Sequence, residues 1–544
     1  MSKVAHYLQE HLVGEVMTGT DARRYFATDA SIFVKPPALV VYPRNENDVR
    51  KTARFSWQLA ERGRVIPITS RGSGTDQTGA AIGEGIMLVF PAHMNRILEL
   101  DTKNNTVTVE PGINYAKLQQ TLHTHGRFLP PYPASAEYST IGGAIGNNAS
   151  GEKTIKYGDT RPYVQSLRVV LANGEVIETK RLNKRELSKK LGLATFEGEI
   201  YRSIDTLLEE QRELIERTRL PVTKNNAGYD LLDIRKKDGS FDLTPLIVGS
   251  QGTLGIVTEA VMETEAHNPQ TTLMLATFDS LEHTQAAVLN LRELSDSPSV
   301  LELIDGNLLE RVQAQNPNFL SEVLKPPFPQ TVLLIEFDNA AKDQKKAVKR
   351  AEKILQQYAS SQQTATEPDG QQLLWKVRQA SSAVLAHNEG LVKAVPVIND
   401  VAVPPDQLRP YMENTQKLMQ AAGLPVAIWG HAGDGNFHVQ PQLNLGQVGD
   451  RQKAFRLIEE YYRMVVGLGG TIAAEAGDGR MNAPYLEALY GPEIYAILQK
   501  VKQIFDPYGT LNPGVKFGSS IDDLKAQIRT DFGLNHIYDH LPRS

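Results

Sequence analysis

The chain has 544 residues, 41% of them apolar, with 58 basic and 63 acidic side chains and a formal net charge of -5. That length exceeds what one hydrophobic core ordinarily serves, so two or more domains are expected, and the slightly acidic balance lacks the basic excess that marks nucleic-acid binding. With no cysteine, the chain can form no disulfide, thiolate zinc site, cysteine nucleophile or protein-ligated iron–sulfur cluster. The opening residues Met1-Ser2-Lys3-Val4-Ala5-His6 are polar and mixed, without an apolar signal segment. No apolar run reaches the roughly 18 residues of a membrane-spanning helix. A cytoplasmic protein is expected, with peripheral membrane contact left open.

In chain order, residues 38–43 read as a strand that runs into Asn45-Glu46-Asn47-Asp48, a helix start with acidic first-turn residues. Val49, Thr52, Ala53, Ser56 and Leu59 continue that helix at helical spacing. A strand at 65–68 enters the run Arg71-Gly72-Ser73-Gly74-Thr75, and further strands are expected at 87–90, 96–101 and 106–110. This first half reads as an α/β region with ligand-binding turns. From about residue 270 strands at 271–278 and 331–337 stand among helical patterns at 284–294, 342–358, 406–421 and 451–466. Leu408, Tyr411, Met412, Thr415, Leu418 and Met419 fall on one face and read as core. No repeat or low-complexity segment occurs, and a domain boundary is expected around Ala266-His267-Asn268-Pro269.

Three runs in the first half have the composition of phosphate-cradling turns: 71–79, which includes Gly79; 139–151; and 249–255. Successive backbone N–H groups in such turns hold anionic oxygens, and neighbouring Ser and Thr hydroxyls add donors. None is a Walker A loop, and none has the spacing of the dinucleotide-binding fingerprint. In the second half stands Gly430-His431-Ala432-Gly433-Asp434-Gly435-Asn436-Phe437-His438, followed by Glu475-Ala476-Gly477-Asp478-Gly479-Arg480. Two imidazoles and a carboxylate are a common ligand set for a catalytic divalent metal with an open position. Both histidines could equally be ordinary loop residues.

The order Arg71–Thr75, Val109-Glu110-Pro111-Gly112, 139–151, Tyr157-Gly158-Asp159-Thr160 and 249–255 with Ile256-Val257-Thr258-Glu259 resembles the FAD-binding domain of vanillyl-alcohol oxidase type flavoproteins. The second half resembles the group of D-lactate dehydrogenase, glycolate oxidase and D-2-hydroxyglutarate dehydrogenase. The matching segments are Trp375-Lys376-Val377-Arg378, Asp400-Val401-Ala402-Val403-Pro404, 430–438, 475–479 and Phe505-Asp506-Pro507 with Leu511-Asn512-Pro513-Gly514. The resemblance implies an α+β protein: a two-subdomain FAD-binding domain at 1–267, a substrate (cap) domain with the metal site at 268–500, and a segment at 501–544 returning to the FAD domain. It implies that Arg71, Gly72, Ser73, Gly74, Thr75, Gly79, Ser139, Thr140, Gly142, Gly143, Gly146, Asn147, Ser150, Gly151, Gly252, Gly255, Ile256, Val257 and Asn512 hold FAD. No histidine lies in the first two of these loops, so the FAD is expected to be non-covalent. The branch it most resembles is often fused to an iron–sulfur module, which here would be another polypeptide.

The implied reaction is oxidation of a D-2-hydroxy acid to the 2-keto acid, with hydride passing from Cα to flavin N5. The catalytic residues implied are Arg378, His431, His438 and Glu475: Arg378 takes the substrate carboxylate through its planar fork, while His431, His438 and Glu475 hold zinc or manganese on the hydroxyl. Electrons then pass to a separate acceptor: a quinone, cytochrome, electron-transfer flavoprotein or iron–sulfur protein. A homodimer is compatible with the resemblance, and nucleic acid is not a partner. The sequence departs from the family at Ala476, where the residue after the metal-binding glutamate is usually the histidine base. Asp478, His387 or metal-assisted deprotonation could replace it, or the chain could be a flavin-binding, catalytically altered or silent component of a larger redox complex. Gln440 and Gln251 stand where relatives often carry asparagine and glutamate.

Overall fold

Strand Leu39–Tyr42 feeds helix Glu46–Ala60, and the Asn45 side chain caps that helix by accepting the Asp48 N–H at 3.1 Å. The helix is a crossover, so the strands it joins lie parallel. The computed structural model describes residues 2–386, 390–398 and 400–533. The first sheet runs Glu15–Met17, Leu39–Tyr42, Ile86–Val89, Ile68–Arg71; its last three strands are parallel and the first is antiparallel. Pairing begins at Ile68, the last residue of the expected 65–68 strand, because Pro67 has no N–H to give to a ladder.

The second sheet is antiparallel, in the order Ile97–Asp101, Thr106–Val109, Ile256–Glu263, Val164–Val170, Val176–Lys180. The α/β reading of the first half therefore holds only for the three parallel strands. A short strand, Glu265–Ala266, still pairs with Arg127–Phe128 of this half. From Thr272 the chain enters a different, seven-stranded antiparallel sheet: Ser361–Ala365, Thr272–Phe278, Thr331–Phe337, Val300–Asp305, Ile428–His431, Asn436–Val439, Val401–Ala402.

Helices cover both faces of the seven-stranded sheet, so its central strands are buried at every position and are largely apolar. Met274, Ala276 and Phe278 join one core, and Leu273 and Leu275 the other. The run at 430–438, which its glycines mark as a loop in sequence, is a hairpin: two strands around a 3-10 turn at Ala432–Asp434. Glycine is required there by proximity. A Cβ on Gly430, at φ +151°, would stand 2.3 Å from the Asn436 carbonyl oxygen, and one on Gly435 2.1 Å from that of Val403.

The chain then returns to the first half. Helix Pro492–Phe505 shares a core with helix Phe196–Glu210, so the return begins before residue 501. Beyond it Leu511 pairs alongside Ile68: Ile68 N–H donates to Thr510 O at 2.7 Å, and Asn512 N–H to Ile68 O at 2.8 Å.

Candidate active site

Two cavities abut between these sheets. The first, of about 850 Å³, is walled by the three glycine-rich runs. Arg71, Gly72, Ser73, Gly74 and Thr75 come from the first run, and Thr140, Gly142, Gly143, Gly146 and Asn147 from the second. Gly252 and Gly255 come from the third, and Val257 from the strand that follows it. Ser139 and Ser150 face the adjoining cavity instead.

Four of the expected residues line neither cavity and support the walls. Asn512 clasps the loops: its Nδ2 donates to Ala80 O at 2.9 Å and to Gln251 O at 2.8 Å, while its Oδ1 accepts from Thr69 Oγ1 at 3.1 Å. Gly79, at φ +83°, packs against the Phe33 ring. Gly151 lies against the Tyr132 carbonyl, and Ile256 is core.

The walls suit a flat, phosphate-bearing cofactor. The Ser70 hydroxyl, on this cavity, and the Ser139 hydroxyl, on its neighbour, are buried without a hydrogen-bond partner among the described residues, a costly condition that a ligand relieves. A Cβ at Gly146 would meet only the Gln251 Cα, at 3.8 Å, and would take up the cavity itself.

The second cavity, of about 1000 Å³, shares Thr75, Asp76, Gly143 and Asn147 with the first. Arg378, His431, His438, Glu475 and Ala476 line it. One ligand atom from each of His431, His438 and Glu475 can be chosen so that all lie within 4.8 Å of one another. His431 Nε2 is 2.7 Å from Glu475 Oε1, and His438 Nε2 is 3.3 Å from Glu475 Oε2. Two imidazole nitrogens and a carboxylate oxygen so gathered fit a divalent metal such as zinc.

Charges packed behind this set hold it. Glu302, 0% exposed, takes His431 Nδ1 on one oxygen and Arg378 Nε on the other, at 2.5 Å. Burial alone would raise the Glu302 carboxyl, but His431 and Arg378 hold it down to about 2. Burial likewise opposes a charged His431 imidazole, but Glu302 and Glu475 push it up to about 9. Lys224 Nζ lies 3.4 Å from Glu475 Oε1. The buried Asp400 carboxylate accepts the backbone N–H groups of Glu475 at 2.9 Å and Ala476 at 2.8 Å, fixing the segment that carries the ligand.

Gln440 lines this cavity. Gln251 joins loops instead: its Nε2 donates to Asn147 Oδ1 at 2.8 Å and its Oε1 accepts from Gly479 N–H at 2.8 Å. Asp478, one of the expected replacements for the missing base, is fully buried against Lys516 at 2.8 Å and accepts the Gly228 N–H, away from the cavity wall. His387 lies outside the described residues.

Comparison with known proteins gives this geometry a family. Residues 37–180 match the model described as FAD binding domain, and residues 267–515 that described as FAD linked oxidases, C-terminal domain. The glycolate oxidase subunit GlcD of Bacillus subtilis (strain 168) is 30% identical over 483 residues, 88% of this chain and 89% of that protein. This chain belongs to the FAD-linked oxidases. The D-2-hydroxyglutarate dehydrogenase of Escherichia coli (strain K12) is 30% identical over 521 residues, 93% of this chain. The chain spans about half the length of that relative, 50% of it being covered. The D-lactate dehydrogenase of Archaeoglobus fulgidus is 28% identical, covering 92% of this chain and 96% of that protein. Among solved structures, 4-ethylphenol oxidase from Gulosibacter chungangensis superposes with a TM-score of 0.69 at 14% identity, over 96% of this chain and 98% of that one. Like it, this FAD-linked oxidase has the vanillyl-alcohol oxidase type fold, α+β, with an FAD-binding domain.

Sequence reading of this FAD-linked oxidase missed Glu302, Lys224 and Asp76. Glu302 carried a usable signal: a carboxylate flanked by Leu301 and Leu303 in mid-strand, a place where an unpaired charge is costly. Lys224 and Asp76 sit in polar loops and carried none.

Proposed function

We propose that the protein oxidises a D-2-hydroxy acid to the 2-keto acid. The observation that carries this is the shared wall. The His431/His438/Glu475 set and Arg378 line one cavity, and that cavity opens onto the glycine-walled one through Thr75, Asp76, Gly143 and Asn147. The glycine-walled cavity would hold FAD, which would supply the hydride acceptor, and His431, His438 and Glu475 would hold a divalent metal, which would supply a Lewis acid for the substrate hydroxyl.

The chain's own part is placement. Arg378 keeps its Nε on Glu302 and Nη1 on Ser381 at 2.8 Å, which orients the guanidinium on the wall to pair with a substrate carboxylate. Asp400 holds the backbone of Glu475, and Lys224 offsets the carboxylates gathered behind it. At Ala476 the wall offers a methyl group in place of a base, so the hydroxyl proton leaves without help from that position. Relatives named D-2-hydroxyglutarate dehydrogenase, D-lactate dehydrogenase and glycolate oxidase support the substrate class. With no cysteine to carry iron–sulfur centres, the electrons go to a separate acceptor. Among the described residues no helix is long and apolar enough to cross a membrane.

Anaerobic addition of D-lactate, glycolate or D-2-hydroxyglutarate to the yellow holoprotein tests the reading. Bleaching of the flavin by a D-2-hydroxy acid is the expected result. A protein that binds added FAD, bleaches with none of the panel and co-purifies with a redox partner refutes catalysis in favour of a silent component of a larger complex, a reading that Ala476 motivates.

A further inference from the structure

We infer that Glu302 is the positioning residue that ties the metal ligand His431 and the carboxylate-binding Arg378 into one unit, so that the two halves of the substrate grip are set by a single buried carboxylate. The inference rests on the proposed function for the roles of its two partners.

Register places Glu302 there. Strand Val300–Asp305 pairs with strand Ile428–His431 so that Glu302 stands directly opposite His431. On its other side the helix Pro368–Ala386 brings Arg378 against the same carboxylate. Glu302 is 0% exposed, and the neighbouring positions of its strand are apolar and buried. A carboxylate is costly to hold in such a place unless its oxygens are satisfied. Here each oxygen takes one donor: Oε1 takes His431 Nδ1 and Oε2 takes Arg378 Nε.

Two consequences follow. An imidazole that donates its Nδ1–H to Glu302 presents Nε2 as the lone-pair nitrogen, and Nε2 is the atom facing Glu475. Carboxylate partners of this kind fix ring tautomer and orientation in metal sites. The same carboxylate holds Arg378 by its Nε edge and Ser381 takes Nη1, which leaves Nη2, without a hydrogen-bond partner among the described residues, for a substrate oxygen. An amide cannot do both jobs. The side chain introduced by E302Q has one acceptor oxygen for two N–H donors; whichever donor it serves, its NH2 faces the other. Where it serves Arg378, the NH2 turns His431 into an Nδ1 acceptor and moves the proton onto Nε2.

The test is metal binding by the FAD-loaded protein, stripped of metal and titrated with Zn²⁺ against a chromophoric chelator, for wild type, E302Q and E302D. The expected result is an affinity about 10- to 100-fold weaker in E302Q, with FAD content unchanged and KM for the 2-hydroxy acid raised alongside. Glu302→Asp keeps the charge but withdraws both oxygens by one methylene. It is expected to show the same loss, and it decides the matter if E302Q folds poorly. A purely structural Glu302 would lower the melting temperature and leave Zn²⁺ affinity at the wild-type value in whichever variant folds; that outcome overturns the inference. Wild-type protein that binds no Zn²⁺ would overturn the metal in the proposed function and this inference with it, whereas tight wild-type binding matched by the variants overturns this inference alone.

Discussion

Replacing Asp478 separates two roles that its position in the sequence leaves open. Were it the proton acceptor standing in for Ala476, D478N would fold normally and lose about 10²–10⁴-fold in turnover. The structure gives it a different task. Asp478 and Lys516 are both 0% exposed, 2.8 Å apart, and Lys516 also donates to the Gly228 carbonyl at 2.7 Å. Burial pushes the Asp478 carboxyl up and the Lys516 ammonium down, each partner opposing the shift of the other. Removing one member of such a pair strands the other, at a cost of about 3–5 kcal/mol. D478N belongs at the lower end, because Lys516 keeps two carbonyls and the new amide oxygen can still accept the Gly228 N–H. K516M belongs at the upper end, because Asp478 would keep only that N–H and its Oδ1 already lacks a partner among the described residues. The double variant should lose less than the sum of the two. Urea unfolding followed by tryptophan fluorescence reads this, since Trp57 packs 4.7 Å from Tyr508 and 5.3 Å from Phe196. Flavin bleaching by the folded fraction of D478N is expected within about tenfold of wild type, well short of the loss a missing base causes. Unchanged stability with a hundredfold slower reduction would refute the argument.

Restoring an imidazole with A476H should accelerate flavin reduction by up to about 10²–10⁴-fold; stopped-flow traces no faster than wild type would show that the wall at 476 has no unmet need for a base. Removing the metal with a chelator, or changing His431→Ala, should abolish reduction by D-2-hydroxy acids, and full activity after either would point to an alcohol or phenol oxidase. R378K keeps a charge but loses the planar fork, so kcat/KM should fall by a factor corresponding to about 1.5–3 kcal/mol, mostly through KM; an unchanged KM would remove Arg378 from the carboxylate site. Gly146→Ala places a methyl in the glycine-walled cavity and should lower the FAD-to-protein ratio at unchanged melting temperature of the apoprotein, whereas Gly142→Ala, with its Cβ 2.6 Å from the Pro111 Cβ, should lower both; equal FAD content in all three proteins would argue against this cavity.

Local signals in the sequence place the helices well. The Asn45 cap and the stripe from Leu408 to Met419 both stand where helical spacing puts them. In the seven-stranded sheet, Thr272–Phe278 and Thr331–Phe337 stand where the sequence puts them, whereas Val300–Asp305, interrupted by Glu302, and the glycine-rich 430–438 hairpin went unread. The glycine runs and the two histidines with Glu475 were legible as types of residue in a pattern. What joins them was not, because Glu302, Asp400 and Lys224 reach the site only through pairing across distant segments. The separation between Glu302 and His431, 129 positions, carries no spacing that a sequence motif could record.

The clasp by Asn512 also orders events in time. A nascent chain emerges N-terminus first, and domains fold largely as they appear. All three glycine runs precede residue 256, so their walls can assemble while more than half the chain is still unmade. The bonds from Asn512 to Ala80 and Gln251, and the pairing of Leu511 beside Ile68, arrive only after residue 512 has left the ribosome. Until then the parallel sheet keeps Ile68–Arg71 as an open edge. Closure of the glycine-walled cavity is thereby deferred to the end of synthesis, and an arrested or truncated chain would display the glycine runs without the latch that joins them.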